Sequence, residues 1–479
     1  MKQVLSEDLS KKIPSPVFEI FKKFSQAGYE IYLVGGGVRD LLLGRKVHDC
    51  DFTTNATPQE IQKILPESFY DNIFGTVGII IKTEKGEEKY EVTTYRTEQD
   101  YTDRRHPDKV SWGTSLEEDL KRRELTINAM AIGYGRNQET LLRSVGTSER
   151  QAGISEQSLE LIDLFEGQKD LKNKTIRAVG NPNERFSEDA LRMMRAVRFA
   201  AQLGFIIDAE TFSAIQHNAP LINQISKERI KDELFKILES DFPAEGINLL
   251  LTSGLLQYII PELIKGYGLS QAKHHIYDVW THSLMALKYC PSKNPLVRLA
   301  TLIHDIGKPL VAKGEGEERT FYNHEVVGAK IARNIAKRLK FSKKEEEKLV
   351  TLVRWHQFTV DERQTDSAIR RFIRNVGKEN LQDMLDLRVG DRLGGGAKET
   401  SWRLEKFKKR LIEVQKQPFT VADLKVNGFD VMEILGIPSG PQVGQILNQI
   451  FEEVVEKKIK NERETLLETL KTAAQTKVC

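Results

Sequence analysis

The stretch Val34-Gly-Gly-Gly-Val-Arg-Asp40, followed by Leu43-Gly-Arg-Lys-Val-His-Asp-Cys-Asp51, decides how this chain is read. Glycines without a β-carbon let a backbone approach a ligand closely, and successive N–H groups in such a turn form a concavity suited to phosphate oxygens. Asp49 and Asp51 then stand two apart in an extended run ending Phe52-Thr-Thr54. A strand's period of two points both carboxylates to one face. Two carboxylates on one side suit Mg²⁺, which completes its octahedron with phosphate oxygens and water. Either part alone is commonplace, a turn or a solvated strand edge. Side by side they have the layout of a nucleotidyl-transfer centre.

At 479 residues the chain exceeds one ordinary core and is expected to form three or four units. Lys+Arg 72 against Asp+Glu 69 leaves only +3, so any nucleic-acid surface must be local. Cys50, Cys290 and Cys479 are scattered without metal spacing, which fits a reducing compartment and argues against a disulfide scaffold. The N-terminal MKQVLSEDLSKKIP has no apolar core of a signal peptide, and no long apolar run follows. A soluble cytoplasmic protein without membrane contact is expected.

Val17, Ile20, Phe21 and Phe24 have helical spacing ahead of Gly28, and strand-like runs recur at Gly78–Lys82 and Lys89–Thr94. The first unit therefore reads as a mixed α/β palm. Glu91 on the second run is either a third metal-facing carboxylate or an exposed strand glutamate. The block Gly-Gly-x-Val-Arg-Asp, then Leu-Leu-Gly, then Asp-x-Asp-x-x-Thr resembles the first motif of the class II tRNA nucleotidyltransferase and bacterial poly(A) polymerase family. Lys121-Arg-Arg-Glu-Leu-Thr-Ile-Asn-Ala-Met-Ala131 resembles the family's second motif, with Glu124 where aspartate is usual. The resemblance implies Gly36, Arg39, Arg123 and Asn128 as nucleotide contacts and Asp49 and Asp51 as catalytic Mg²⁺ ligands. The polar, aperiodic stretch from Tyr95 to Leu120 corresponds to the family's flexible loop for adding the terminal adenosine. Its presence argues against a CC-only enzyme.

Residues Gly135 to Ser158 read as a linker, and Asp163-Leu-Phe-Glu-Gly-Gln-Lys-Asp170 resembles the family's hinge between head and neck. From Ser187 to Gly204 one helix is expected, with Ser187 as N-cap and Gly204 as stop. Leu191, Met194, Val197 and Ala201 would face the core, while Asp189, Arg192, Arg195 and Arg198 would line one flank. Glu188-Asp-x-x-Arg192 matches the family's protein template. There Asp189 would accept from the exocyclic amine of cytosine or adenine and Arg192 would donate to the adjacent ring acceptor. Glu188 would orient Arg192, and Arg195 and Arg198 would hold phosphates or stack near the base. Ile225–Leu234 resembles a supporting neck motif.

Beyond Lys273 histidines gather, and His304-Asp305-Ile-Gly-Lys308 resembles the signature of HD-type metal phosphohydrolases. His282, His304, Asp305, His324, His356 and Asp391 follow that class's order, able to hold one or two ions. Imidazole with carboxylate suits Mn, Fe, Ni, Co or Zn better than Mg. Lys308 fits a phosphate contact or a solvated turn.

The expected architecture is multidomain. An α/β nucleotidyltransferase palm (1–144) precedes an all-α neck and RNA-binding region (145–268), an all-α HD domain (269–395) and a helical tail (396–479). The expected activity is addition of CMP and AMP, from CTP and ATP, to the 3′ end of tRNA. Poly(A) polymerase and A-adding activity share these motifs. A hydrolase of RNA ends with a head that only grips RNA is the reading from another class.

Overall fold

A computed structural model describes residues 2–47, 50–70, 76–83, 86–99, 109–112, 115–134, 158–271, 276–361, 363–415, 421–455 and 458–476. The chain divides into two compact units, Met1–Pro261 and Glu262–Cys479.

The first unit opens with a sheet of β1 (Lys2–Val4), β2 (Ile31–Val34), β3 (Asp51–Thr54), β4 (Phe69–Tyr70), β5 (Thr76–Thr83) and β6 (Gly86–Thr94). A polar ribbon, β7 (Arg96–Gln99) with β8 (Lys109–Trp112), stands apart; β9 (Met130–Tyr134) and β10 (Leu159–Asp163) rejoin the sheet. Among the described residues its order is β1-β10-β9-β2-β3-β6-β5-β4. All four residues of β2 are buried, as befits a central strand covered on both faces. β2 pairs antiparallel with β3, setting Val34 opposite Asp51. β3 pairs parallel with β6, setting Asp51 beside Glu91. The glycine turn after Val34 and the acidic start of β3 are thereby brought to one edge. The helix Ser15–Gln26 buries Val17, Ile20, Phe21 and Phe24 as its spacing predicts, with Phe21 edge-on to Phe52 at 5.7 Å.

Three expectations change here. The palm sheet does not stop at 144: β10 buries Leu159, Leu161 and Ile162 and pairs with both β9 and β1. The stretch after Tyr95 is not wholly irregular, because β7 and β8 pair from Arg96↔Trp112 to Gln99↔Lys109. Backbone pairing needs no apolar periodicity, which is why the polar sequence hid it. Its residues 100–108 and the linker reading at 135–157 lie outside the described residues.

The third change concerns the template stretch. One helix spans Pro182–Glu188, Asp189 is extended, and a second runs Leu191–Leu203 to a left-handed Gly204. Ser187 is thus inside the first helix and caps nothing. The break has a local cause: Asp189 Oδ1 accepts from the Leu191 backbone N–H at 3.0 Å, a side-chain bond that competes with the helical ladder. The second helix buries Leu191, Met194, Val197 and Ala201 as expected, and Met193, Ala196 and Ala200 besides. It packs on the helices Lys227–Glu239 and Pro243–Thr252.

Every helix or strand named in the second unit among its described residues is a helix, joined by loops and one isolated bridge between Lys313 and Thr320. Helices Val279–Tyr289 and Leu381–Gly394 lie so close that a β-carbon on Gly394 would meet Ala286 N at 2.5 Å. This approach sets Asp391 next to His282. The tail forms a separate apolar cluster in which Val431, Val443, Leu447, Phe451, Leu466 and Leu470 enclose one another.

Candidate active site and metal centre

At the mouth of β2, Gly35 has φ 76° and ψ −136°, a conformation in which a side chain would be strained, and the helix Gly36–Leu42 starts immediately after it. A β-carbon there would lie 3.1 Å from Arg123 Nη1 and 3.9 Å from Asp51 Oδ2. The glycine turn, a guanidinium and a carboxylate therefore share one small cradle. Arg39 reaches the same place, donating from Nη1 to Asn128 Oδ1 at 2.9 Å and from Nε to Asp40 Oδ1 at 2.9 Å. Gly36 lies against it, its β-carbon position 3.4 Å from Arg39 Nη2. Arg123 Nη2 contacts the fully buried Asp119 at 3.3 Å, while its Nε is buried with no hydrogen-bond partner among the described residues. Burial raises the Asp119 carboxyl, but Arg122 and Arg123 outweigh it and hold the group below the usual range. Asp51 stands exposed at the edge of this cradle, and Asp49 lies outside the described residues. A backbone open for phosphate, a carboxylate and two guanidiniums fit a magnesium triphosphate. Glu91, held by Lys89 at 3.0 Å, is the neighbouring carboxylate on β6.

Across this cradle lies the Leu191–Leu203 helix. Arg192 is ion-paired with Glu188, which also takes Arg185 at 3.0 Å, as expected for a glutamate that orients the arginine. Asp189 is not paired with Arg192. Its Oδ2 accepts from Arg229 Nη2 at 2.8 Å, so each base-reading candidate is fixed by a separate partner. Arg195 donates to Glu124, whose buried carboxylate is held far below its ordinary value because this ion pair outweighs desolvation. The longer Glu124 is thus engaged with the neck helix. Arg198 is only 7% exposed, and its Nε lies 3.3 Å from Glu233 Oε2. It makes an internal ion pair between helices. Sequence reading missed Arg229 and Glu233; both lie in the Ile225–Leu234 motif, in register to face the template helix.

Asp163 accepts from Gly167 N and Gln168 N at 2.9 Å each, capping the next helix. Asp170 then takes Thr126 Oγ1 at 2.5 Å and Arg177 Nε at 2.9 Å. The hinge-like segment is thereby tied to the second motif.

In the second unit all six expected ligands converge. His282, His304 and Asp391 form one group and Asp305, His324 and His356 another, each group's ligand atoms lying within 4.8 Å of one another. Asp305 joins them, with Oδ2 3.2 Å from His304 Nε2 and Oδ1 3.3 Å from His324 Nε2. The approach of His324 depends on Gly307, where a β-carbon would sit 2.1 Å from the His324 carbonyl oxygen. The backbone also sets the ring orientation. Nδ1 of His304, His324 and His356 lies 2.7, 2.8 and 2.7 Å from the carbonyl oxygens of Thr301, Phe321 and Val353. A proton on each Nδ1 leaves Nε2 as a lone pair turned inward. Yet the Nε2 atoms of His282 and His304, and those of His324 and His356, are 3.2 Å apart. For His324 and His356, whose Nδ1 atoms both face carbonyls, lone pairs facing at that distance require a cation or a shared proton. Nitrogen and carboxylate donors suit transition ions. His274 and His275 lie outside the described residues.

Burial disfavours charge on His304, but Asp305 and Asp391 push it up to about 10. Burial and the neighbouring His304 push His356 down to about 3. Burial raises Asp305 and Asp391, but His304, joined by Lys308 and His324 at Asp305 and by His282 and Arg388 at Asp391, holds both well below the carboxylate range.

Residues 31–177 match the model of the Poly A polymerase head domain, and 204–266 that described as "Probable RNA and SrmB- binding site of polymerase A". Residues 322–470 match tRNA nucleotidyltransferase domain 2. A CCA-adding enzyme of Ligilactobacillus salivarius is 34% identical over 475 residues, 99% of either chain. The chain belongs to the CCA-adding enzyme family. It is a nucleotidyltransferase by that membership. Another CCA-adding enzyme, of Limosilactobacillus reuteri, is 45% identical over 252 residues, 52% of this chain and 56% of that one. The crystal structure of the Bacillus stearothermophilus CCA-adding enzyme in complex with CTP aligns with TM-score 0.70 and 30% identity, covering 98% of this chain and 100% of that one. Among the described residues no helix is long and apolar enough to cross a membrane.

The values for His304 and His356 set a proton linkage. At neutral pH His304 carries a proton that an incoming cation must displace, whereas His356 carries none. Transition-metal uptake should therefore release about one proton per centre, and apparent affinity should rise with pH up to about 10, where His304 gives up its proton unaided. Calorimetry in buffers of different ionisation enthalpy measures the release; uptake without proton release contradicts the ligand set.

Proposed function

We propose that the first unit adds CMP and AMP, from CTP and ATP, to the 3′ end of tRNA. The observation that carries this reading is the shared cradle of Gly35, Asp51, Arg39 and Arg123 facing the helix that carries Arg192, with Asp189 in the break just before it, each of the two held in place by its own partner. Identity with CCA-adding enzymes over almost the whole chain supports it. Asp49 and Asp51 would hold Mg²⁺, which when bound supplies neutralisation of the triphosphate and activation of the primer hydroxyl. The Gly35–Gly36 turn and Arg39, braced by Asn128, would grip the triphosphate, with Arg123 lending its buried Nε–H. Asp189 would accept from the exocyclic amine of the base and Arg192 donate to the ring beside it. Neither offers uracil or guanine what that edge needs. Arg195, anchored by Glu124, would stand near the phosphates. Poly(A) polymerase and A-adding activity use the same parts, and the nucleotide incorporated separates them. The domains would then be a palm carried through β10, a neck to about Pro261, and the helical second unit with its tail.

A second reading is favoured by the six converging ligands in the second unit: an HD-type centre hydrolysing phosphoesters, such as 2′,3′-cyclic or terminal phosphates of RNA ends. Mn, Ni, Co or Fe bound there supplies Lewis acidity toward a phosphoryl oxygen. Lys308, 2.6 Å from Asp305, would steady the phosphate.

Incubating the chain with tRNA lacking its terminal trinucleotide, Mg²⁺ and each labelled nucleoside triphosphate tests the first reading. Asp51→Asn should lower incorporation by roughly three orders of magnitude or more with folding retained; near-normal incorporation removes the assignment. Changing Asp189 and Arg192 to alanine together should admit UTP and GTP more than it weakens triphosphate binding. A double variant that still selects CTP and ATP would reduce the two to structural ion pairs. Asp305→Ala should abolish transition-metal phosphoesterase activity and leave Mg²⁺-dependent incorporation intact, a split measured on the same preparation.

A further inference from the structure

We infer that Phe199 is a positioning residue for nucleotidyl transfer: its ring gathers Arg39 of the palm with Arg195 and Arg198 of the neck, and so fixes the spacing between the triphosphate grip and the base-reading pair. The inference rests on the nucleotidyl-transfer reading above and adds to it the device that keeps the two ends of the nucleotide site in register.

Placement along the helix is the first argument. Arg192, Arg195 and Phe199 stand at i, i+3 and i+7 of the helix Leu191–Leu203, so they share one face. Each meets the palm at a different place. Arg192 Nη2 lies 3.5 Å from the Arg122 carbonyl oxygen, and Arg195 Nε lies 3.2 Å from Glu124 Oε1. Phe199 meets Arg39, which belongs to the helix Gly36–Leu42 behind the glycine turn. Seven residues span roughly 10 Å along a helix axis. The row therefore carries the base-reading arginine at one end and, at the other, the contact to the arginine that would grip the triphosphate.

The chemistry of the ring is the second. Three guanidiniums lie over it: Arg198 Cζ is 4.4 Å from the centroid, Arg39 Cζ 5.1 Å and Arg195 Cζ 6.0 Å. Phe199 is only 7% exposed, and cation–π attraction is strongest where water is excluded. Burial lowers the Arg198 guanidinium below its ordinary value; Glu233 opposes that, and the nearby Arg195 and Arg39 add to it. Cations crowded in this way repel one another, and the negative face of an aromatic ring offsets the repulsion. Arg39 is held on its palm side by Asp40, at 2.9 and 3.0 Å, and by Asn128 at 2.9 Å. Those bonds tie it to the palm, and the ring ties it to the neck. An aliphatic side chain of similar size would fill the same space without attracting any of the three.

The test uses the full chain with Mg²⁺ and tRNA lacking its terminal trinucleotide, with Phe199 replaced by mono-, di- and trifluorinated phenylalanine. Fluorination drains the negative face of the ring at nearly constant volume, so it weakens cation–π attraction while packing is kept. The kcat/KM for CTP should fall stepwise along the series, by about 5- to 10-fold in all, and the preference for CTP over UTP should narrow with it. Phe199→Leu should fall at or below the end of the series. Inorganic tripolyphosphate, which engages the palm alone, should inhibit every variant within about twofold of the parent, and affinity for the tRNA should hold to the same margin. Unchanged kcat/KM and selectivity along the series, whatever happens to the melting temperature, would make Phe199 a packing residue and overturn the inference while nucleotidyl transfer stands. Equal losses for tripolyphosphate and CTP would place the effect on Arg39 alone and overturn the spacing role. If the parent chain transfers no nucleotide, the nucleotidyl-transfer reading fails and the inference falls with it.

Discussion

A charge withdrawn from water must meet an opposite charge or a dense set of hydrogen bonds, and the functional regions of this chain are organised by that constraint. In the neck, Glu188 meets Arg192, Asp189 meets Arg229, Arg195 meets Glu124 and Arg198 meets Glu233. Three helices and the turn before β9 are fixed to one another by these pairs. In the second unit the same constraint acts on histidines and aspartates, and there the protein supplies Asp305 and Asp391 for four imidazoles. Ion pairs that satisfy one another make a rigid frame. A set of donors left short of positive charge makes a place for a cation.

How far this was legible depended on range. The glycine turn, the extended run after it and the buried face of the Ser15–Gln26 helix followed from local chemistry, and the structure has them. The six candidate ligands of the second unit were legible in order, although the 3.2 Å separations that bring them together belong to packing. The break at Asp189 was not foreseen, because helix periodicity continues through it and only the side chain's own bond to Leu191 N ends the first helix. The partner of Asp189 was equally hidden: Arg192 is three residues away and Arg229 forty, yet the distant one makes the ion pair. Arg198 looked like part of an exposed basic stripe until the Lys227–Glu239 helix covered it. The extent of the palm was misjudged for the same kind of reason, since β10 follows a long polar stretch and declares its membership only by pairing with β9.

Glu124, which stands where the resembled motif usually has aspartate, is spent on Arg195 of the neck. The second motif is thereby bolted to the template helix, and Asp170, holding both Thr126 and Arg177, ties the same segment to the hinge. Any swing of the neck relative to the palm sheet must break or carry these contacts.

Three of the four candidate-ligand histidines in the second unit have their ring orientation set by the carbonyl oxygen three residues earlier. Where such support comes from an outer carboxylate side chain, a single codon change can remove it. Here the supporting atom belongs to the main chain, so substitution at Thr301, Phe321 or Val353 leaves it in place. The ligand geometry is inherited with the helix ends themselves, and sequence drift around the centre can reshape what enters the cavity without retuning what the imidazoles hold.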